Sequence, residues 1–171
     1  MSQVNIILST ERTIVRRIAL SDAEFILRLV NDPSWLKHIG DRQVHSLNDA
    51  ETFIQQGPLD SYQKNDFGLY VYADRTSLLP MGLCGLLQRD YLSAPDIGYA
   101  TLAEYRGQGL TFEAVQAVLD YEVKKAQLPY VYAMVSAHNP SSISLLKKLA
   151  MQPQGEFSHD GKESLLFRLA I

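Results

Sequence analysis

Hydrophobic residues along the chain recur at two spacings, and each spacing predicts a type of secondary structure. Alternating or continuous apolar runs predict β-strands, whereas apolar residues three to four positions apart predict amphipathic helices. Strands are predicted at residues 13–18, 67–73, 81–87, 96–102, 130–136 and 165–169. Helices are predicted from Ser21 or Asp22 to about residue 30, at 48–56, from Thr111 to about Ala126, and from Asn139 to about Leu149.

Turn-forming residues separate these segments. Asn31-Asp32-Pro33 is expected to end the first helix, and Gly57-Pro58 is expected to end the second. The polar residues 74–77 predict an antiparallel hairpin between the strands on either side of them. Asp160-Gly161 predicts a second hairpin near the end of the chain, after a break at Gln152-Pro153 and Gly155.

The most informative stretch runs from Asp96 to Gln127 and reads as a strand, a glycine-containing loop and a helix. Gly107 and Gly109 in the loop allow the backbone to approach a ligand closely. The first N–H groups of the following helix have no intrahelical partners, and the helix dipole adds positive charge to them. This arrangement suits a phosphate or a pyrophosphate.

Two common phosphate-binding motifs do not fit this loop. A P-loop needs a lysine before Ser or Thr, and Gly109-Leu110-Thr111 has none. A Rossmann fingerprint needs a third glycine, and Phe112 stands at that position. The pattern that remains is Arg106-x-x-Gly109-x-Thr111, which follows a strand and opens a helix.

This pattern resembles the R/Q-x-x-G-x-G/A acetyl-CoA signature of the GNAT N-acetyltransferases. The longer segment PDIGYATLAEYRGQGLTFEA is similar to the strand, loop and helix of the subgroup that acetylates N-terminal alanines of ribosomal proteins. NPSSISLLKKLAM downstream and LSTERTIVRRIALSDAEFILRLVNDP upstream resemble two further segments of that subgroup. The resemblance covers nearly the whole chain.

The resemblance implies a single GNAT domain over residues 1–171, of the α+β class with three layers. Its sheet would be mixed, mostly antiparallel, and covered by helices on both faces. The strands that begin at Asp96 and Tyr130 would splay apart, and acetyl-CoA would lie in the opening between them.

The resemblance also implies which residues contact the cofactor. Main-chain groups near Ala100, Thr101 and Leu102 would pair with the pantetheine arm like an added strand. Asn139 would contact the cofactor, unless it serves only as a helix N-cap. The Thr111 hydroxyl would either bind a phosphate or cap the helix. The pyrophosphate would be held by the backbone N–H groups of six successive residues, Arg106, Gly107, Gln108, Gly109, Leu110 and Thr111.

The implied reaction is direct attack of a primary amine on acetyl-CoA. Ser142 is the candidate donor of a proton to the departing thiolate, and Asp96 is the candidate base, acting through water where the subgroup often has Glu. Leu146 stands where many GNAT enzymes have a tyrosine acid, and Ala150-Met151 stands where they have Gly-Phe. In the family, the region of Trp35, His38 and His45 lines the acceptor side, although packing would also explain these three residues.

Composition narrows the functional classes. The 171 residues carry a net charge of −3, which argues against a broad nucleic-acid-binding surface. The chain has one cysteine, Cys84, and no apolar run near the ~20 residues of a membrane helix, so we expect a soluble cytoplasmic protein without a signal peptide. No metal ion is expected.

Several functions stay open at this point. The first is acetylation of a protein N-terminus, most plausibly of a ribosomal protein, and the second is acetylation of a small amine such as a polyamine, an amino acid or an antibiotic. A module that binds CoA without catalysis is the third. The sequence leaves open the length of the acyl group and the oligomeric state, a homodimer included.

Overall fold

The computed structural model describes residues 4–171 and contains one mixed sheet of eight strands. The strands lie in the order β1-β2-β3-β4-β5-β6-β8-β7, and all neighbours except β5 and β6 are antiparallel. Their bounds are β1 Ile6–Ser9, β2 Thr13–Arg17, β3 Leu69–Asp74, β4 Pro80–Leu87, β5 Asp96–Thr101, β6 Tyr130–Val135, β7 Gln152–His159 and β8 Lys162–Ala170.

Six α-helices connect the strands. Their bounds are α1 Ala23–Val30, α2 Pro33–His38, α3 Leu47–Ile54, α4 Asp60–Asn65, α5 Leu110–Ala126 and α6 Pro140–Lys148. Short 3₁₀ turns at Leu20–Asp22 and Ala103–Tyr105 precede α1 and the loop before α5. Each predicted helix and strand therefore has a counterpart in the structure, with bounds that differ by a few residues.

The predicted opening between two strands is confirmed. β5 and β6 run parallel and share one register pair, Asp96 with Tyr132, within the described residues. Beyond that pair the two strands diverge, although β5 stays paired with β4 as far as Thr101. One edge of β5 therefore faces an opening rather than a neighbouring strand.

The predicted helix end at Gly57-Pro58 is wrong. Residues Gln55–Leu59 continue α3 as a π-helical turn that leads directly into α4. Proline normally clashes with the carbonyl four residues earlier and removes one donor. The wider π turn changes that spacing, so the chain passes through Pro58 without leaving the helical path.

Three further differences concern element ends. Pro33 begins α2 rather than only ending α1, because the first turn of a helix has no use for the missing N–H. β7 starts at Gln152, so the break expected at Gln152-Pro153 and Gly155 lies inside the strand. It takes the form of an irregular register between Pro153 and Gly155. The prediction also missed the short strand β1, whose burial does not alternate clearly.

The core lies between the sheet and its helices. α5 buries Val115, Val118 and Leu119 against the sheet, while Tyr70 and Tyr72 on β3 are almost fully buried. Cys84 is fully buried as well, and burial raises the pKa of its thiol, as expected for a packing residue. Within residues 4–171 no helix has the length and apolar character needed to cross a bilayer.

One carboxylate lies inside this core. Glu122 on α5 has no exposed surface, and its Oε1 accepts hydrogen bonds from the Tyr70 hydroxyl at 2.7 Å and the Lys125 ammonium at 3.3 Å. Its Oε2 has no partner among the residues that the structure describes. Burial raises the pKa of Glu122 above its ordinary value, so the folded protein binds this proton more tightly than the unfolded chain.

We therefore expect Glu122→Gln to gain stability relative to the wild type as the pH rises. A raised pKa in the folded state gives a contribution that is complete below the unfolded pKa of about 4.3 and is lost as the pH passes through the folded pKa. Urea unfolding of both proteins between pH about 4 and about 8 measures the difference.

Glu113→Gln provides a control of opposite sign. Although burial acts to raise the pKa of Glu113, hydrogen bonds from Thr10 and Arg12 outweigh it and leave the pKa lowered. The wild type should therefore gain stability over Glu113→Gln as the pH rises through the unfolded value. Parallel pH profiles for the two variants would contradict this account.

Candidate active site

The pairing of β5 decides which of its main-chain groups face the opening. The N–H of Leu102 donates to the carbonyl of Met81 at 2.9 Å, and the carbonyl of Leu102 accepts from the N–H of Tyr105 at 3.0 Å. Hydrogen bonds alternate along an antiparallel pair, so Ala100 also turns its main-chain groups toward β4. Tyr99 and Thr101 direct theirs toward the opening.

This alternation refines the predicted pantetheine contacts. The carbonyl of Thr101 already accepts a hydrogen bond from Nε of Arg106 at 3.0 Å. The main-chain groups that remain on this edge are the N–H and carbonyl of Tyr99 and the N–H of Thr101. Ala100 and Leu102 lie beside the opening, but the sheet and the following turn already use the main-chain groups of Leu102.

The loop after β5 presents a row of main-chain N–H groups. Gly107 and Gly109 have positive φ angles of 74° and 77°, a conformation that other L-residues adopt only with strain. Arg106 donates its N–H to Ala103, whereas the N–H groups from Gly107 to residue 112 have no acceptor within the described part of the chain. Together with the N-terminus of α5, these groups form the anion-binding arrangement that the sequence predicts.

The Arg106 side chain braces the loop from one side. Its Nη2 contacts Oδ1 of Asp32 at 2.7 Å, and its Nε holds the Thr101 carbonyl. Asp32 also caps α2 by accepting from the N–H of Ser34 at 2.9 Å. The guanidinium therefore links the loop to α2, and only the main chain of Arg106 is positioned within the loop itself.

A second arginine braces the loop from the other side. Arg12 donates from Nη1 to the carbonyl of Gln108 at 2.9 Å and from Nε to Glu113 at 3.0 Å. These bonds leave the Gln108 N–H unused and tie the loop to the segment before β2. The loop conformation is thus fixed by two arginines, Arg106 at its start and Arg12 from outside it.

The Thr111 hydroxyl has a use that the sequence did not suggest. It lies 2.6 Å from the Thr101 hydroxyl and 3.1 Å from that of Tyr72, and Tyr72 and Thr101 are also hydrogen-bonded to each other. The three hydroxyls form a largely buried network between β3, β5 and α5. The hydroxyl of Thr111 is therefore engaged in packing, whereas its N–H points to the anion-binding end of α5.

Asp96 lies at the point where β5 and β6 part. It is 2% exposed, and its Oδ1 accepts from Nε of Arg89 at 2.8 Å. Burial raises the pKa of Asp96 above its ordinary value, and the charge of Arg89 opposes that shift. A carboxylate of raised pKa is a better proton acceptor than an exposed one, which fits the predicted role of base.

Ser142 and Asn139 lie at the start of α6. Asn139 caps this helix through a hydrogen bond of 3.2 Å from the N–H of Ser142 to its Oδ1. The Ser142 hydroxyl lies 2.5 Å from the hydroxyl of Tyr99 on β5. The helix and the strand therefore meet across the opening at this pair. Leu146, the residue that the resemblance matches to the family's tyrosine, is 1% exposed and packs in the core.

The side of the opening that the resemblance assigns to the acceptor is built by α2, the β7–β8 hairpin and the segment before β5. Trp35 and His38 line the cleft, and their Nε1 and Nδ1 atoms are buried without a hydrogen-bond partner among residues 4–171. His45 does not line it, so the structure brings together two of the three predicted acceptor residues. Lys162 donates to the carbonyl of Ile39 at 2.9 Å, which joins the hairpin to the end of α2.

The whole opening is a cleft of about 1570 Å³, and its charge differs from that of the chain. Seven Lys and Arg residues line it against five Asp residues, although the chain as a whole is acidic. At the acceptor end, partial burial lowers the pKa of Lys162, and the nearby charges of Arg42 and Arg89 lower it further. The described residues contain no cluster of three or more His, Cys, Asp or Glu side chains that would hold a metal ion.

A comparison with protein families matches residues 12–152 to the acetyltransferase (GNAT) domain. This chain belongs to the GNAT acetyltransferase family. An uncharacterized N-acetyltransferase of Bacillus licheniformis, p20, is 30% identical over 155 residues, which cover 86% of this chain and 83% of that protein. Family membership supports acyl transfer as the activity of the site described above.

Solved structures share the fold of this GNAT domain at lower identity. The ribosomal-protein-S5-alanine acetyltransferase of Vibrio fischeri has a TM-score of 0.80 at 20% identity, with 95% of each chain covered. RimL, a ribosomal L7/L12 α-N-protein acetyltransferase solved with coenzyme A, has a TM-score of 0.83 at 16% identity, with 98% of each chain covered. These likenesses confirm the predicted GNAT fold.

Four residues of the site were not found from the sequence. Tyr99 contacts Ser142, Arg89 contacts Asp96, Asp32 contacts Arg106, and Lys162 closes the acceptor side. Tyr99 lay on the predicted strand, on the face opposite Gly98, so its orientation was predictable but its partner was not. For Asp32, its place in the helix-ending segment Asn31-Asp32-Pro33 already explained the residue and hid both its capping role and its contact with Arg106.

We expect Thr111→Val to lower the free energy of unfolding by about 1–3 kcal/mol, because the Tyr72 and Thr101 hydroxyls lose a buried partner. The affinity for acetyl-CoA should change little, since the N–H of residue 111 is retained. Urea unfolding and calorimetric titration with acetyl-CoA measure the two effects.

Thr52→Val is the matched control, because the Thr52 hydroxyl bonds only the Asn48 carbonyl on an exposed part of α3. Its stability should stay within about 0.5 kcal/mol of the wild type. If Thr111→Val is fully stable yet binds acetyl-CoA much more weakly, the hydroxyl is a ligand of the cofactor after all.

Proposed function

We propose that this protein transfers an acetyl group from acetyl-CoA to the α-amine of a protein N-terminus by direct attack in a ternary complex. The observation that carries this proposal is the open edge of β5 beside a loop of unused N–H groups. The edge offers strand-like partners to the amides of a pantetheine arm, and the loop offers donors to a pyrophosphate.

The residues of the cleft fit acetyl-CoA as the donor substrate. The N–H groups from Gly107 to residue 112 have no acceptor in the described chain, and the largely exposed loop leaves them open to a ligand. A pyrophosphate would satisfy several of them at once. RimL, which has a similar fold, was solved in complex with coenzyme A, and this supports the same ligand for this chain. Asn139 and Ser142 face the opening from α6 and would lie beside the bound molecule.

The acetyl transfer requires a neutral amine and a proton for the departing thiolate. An α-amine with a pKa of about 7.7–8.0 is roughly a third neutral near pH 7.5, whereas a lysine amine at about 10.4 is roughly 0.1% neutral. An α-amine therefore needs little help from a base. Asp96, with its raised pKa and its partner Arg89, would accept the amine proton through a water molecule.

The acyl carbonyl and the sulfur need donors on the other side of the reaction. The N–H of Tyr99 lies on the open edge of β5 and would stabilise the oxyanion of the tetrahedral intermediate. Ser142 would donate its proton to the sulfur as the carbon–sulfur bond breaks. Leu146 takes no part in this chemistry, because it is buried and has no proton to donate.

The charge of the acceptor end bears on the choice of amine. Arg42, Arg89 and Lys162 lie close together there, and positive charges repel a polyamine. This observation favours a peptide or an amino acid over a polycation. Two proteins of similar fold are a ribosomal-protein-S5-alanine acetyltransferase and a ribosomal L7/L12 α-N-protein acetyltransferase. Their names favour a protein N-terminus as the acceptor.

The direct test is thiol release from acetyl-CoA in the presence of an amine panel. The panel contains peptides with free N-terminal Ala or Ser, the same peptides blocked at the N-terminus, single amino acids and spermidine. Release with the free peptides alone would support the proposal. Release with the amino acids or spermidine alone would identify a small-amine enzyme, and binding of acetyl-CoA without release from any amine would favour a CoA-binding module.

We expect Ser142→Ala to lower kcat by about 10²-fold while leaving the affinity for acetyl-CoA within a factor of about two, because a general acid acts in the transition state. Steady-state thiol release and calorimetric titration measure the two quantities. Ser144→Ala is the matched control, since Ser144 lies two residues later on the same helix with its side chain exposed and outside the cleft. Equal rates for both variants would remove Ser142 from the reaction.

A further inference from the structure

The contact between Tyr99 and Ser142 joins two elements that the chain brings together from 43 residues apart. The two hydroxyl oxygens lie 2.5 Å from each other, and the Tyr99 oxygen lies 3.3 Å from the Ser142 carbonyl. Both residues line the cleft at the point where β5 and α6 approach each other. No other hydrogen-bond partner of the Tyr99 hydroxyl is present among residues 4–171.

The direction of the hydrogen bond between the two hydroxyls follows from their chemistry. A phenol is the more acidic of the two and therefore the better donor, whereas an aliphatic alcohol is the better acceptor. Burial raises the pKa of Tyr99 to about 12, with the bond to Ser142 acting in the other direction, so Tyr99 keeps its proton at neutral pH. This favours Tyr99 as the donor to Oγ of Ser142, the shorter of its two contacts.

A serine that accepts from Tyr99 has a constrained hydroxyl proton. One lone pair of Oγ is occupied, and the O–H bond is directed away from Tyr99. The N-cap contact of Asn139 goes to the backbone N–H of Ser142 and leaves Oγ unaffected. The remaining directions for the O–H include the open cleft between β5 and β6.

We propose that Tyr99 is a positioning residue that orients the Ser142 hydroxyl toward the sulfur of the departing thiolate. This inference rests on the proposed function, in which Ser142 supplies that proton. Tyr99 and Ser142 together would serve in place of the tyrosine that the resemblance expects at the position of Leu146. The aromatic hydroxyl then comes from β5 instead of α6.

Tyr99 acts through orientation and keeps its own proton. In this arrangement the Tyr99 proton is engaged with Oγ of Ser142, so the proton that points toward the sulfur is that of Ser142. In the step itself the carbon–sulfur bond breaks and the electron pair goes to sulfur. Sulfur takes the Ser142 proton while Ser142 takes up, through solvent, the proton that the amine released, so that no free alkoxide forms. Tyr99 holds the serine oxygen throughout.

The experiment compares four proteins in the thiol-release assay, with the N-terminal peptide that gives the highest wild-type rate. They are the wild type, Tyr99→Phe, Ser142→Ala and the double variant. We expect Tyr99→Phe to lower kcat by about 10-fold, with KM for the peptide and the Kd for acetyl-CoA within a factor of about two. We expect no further loss when Tyr99→Phe is added to Ser142→Ala, because there is then no hydroxyl to orient.

Tyr130→Phe is the matched control. It removes a tyrosine hydroxyl that lies 3.0 Å from a serine, Ser93, in a pair outside the cleft. This variant should keep the wild-type kcat. Thermal unfolding of all variants separates a loss of orientation from a loss of fold.

Several results would overturn the inference. An unchanged or increased kcat in Tyr99→Phe would mean that Ser142 donates to Tyr99 and is released by the substitution. Additive losses in the double variant would mean that the two hydroxyls act independently, and full activity of Ser142→Ala would leave Tyr99 nothing to orient. A wild-type protein that releases no thiol with any amine would instead contradict the proposed function, which is a separate outcome.

Discussion

The parting of β5 and β6 is the constraint on which the rest of the site depends. A sheet normally satisfies the main-chain groups of every inner strand, and an inner strand with one unpaired edge is costly unless water or a ligand completes it. Here a single register pair, Asp96 with Tyr132, holds the two halves of the sheet together at one end. The parts of the proposed site lie along the line where β5 and β6 diverge. They are the main-chain groups on the open edge of β5, the loop of N–H groups at its end, and α6 on the opposite side.

The loop is held in place by contacts with other parts of the chain. Arg106 connects it to the cap of α2 through Asp32, and Arg12 connects it to the segment before β2. Since α2 also carries Trp35 and His38, the contact through Asp32 joins the wall of the acceptor side to the loop of the donor side. The two halves of a ternary complex would thereby be positioned by one rigid framework, which is what direct transfer requires.

The hydrogen bonds of the site divide its polar residues into two groups. The hydroxyls of Thr101, Thr111 and Tyr72 form hydrogen bonds with one another inside the fold. Ser142, by contrast, contacts only Tyr99 through its hydroxyl, and Tyr99 is the residue proposed to orient its proton. Similar residue types therefore serve packing on one side of β5 and chemistry on the other, and only the partners of each hydroxyl tell them apart.

Most of the fold could be predicted from the sequence, because the apolar spacing of strands and helices and the turn residues between them are local signals. The glycine loop and its suitability for a phosphate followed from the residues themselves, whereas the opening beside β5 was implied by the resemblance to a family. The π turn at Pro58 could not be predicted, since a proline within a helical path normally ends it. The pairs Tyr99 with Ser142 and Asp32 with Arg106 join residues distant in the chain, and one sequence contains no signal for such contacts.

The central claim is that the open edge of β5 and the loop after it receive acetyl-CoA. The most direct measurement is a titration of the ¹⁵N-labelled protein with acetyl-CoA, followed through the backbone amide resonances. The account predicts large shifts for Tyr99, Thr101 and the residues from Gly107 to Thr111, with the N–H of Leu102 much less affected because the sheet already holds it. Shifts confined to other parts of the chain, or none at saturating acetyl-CoA, would contradict it.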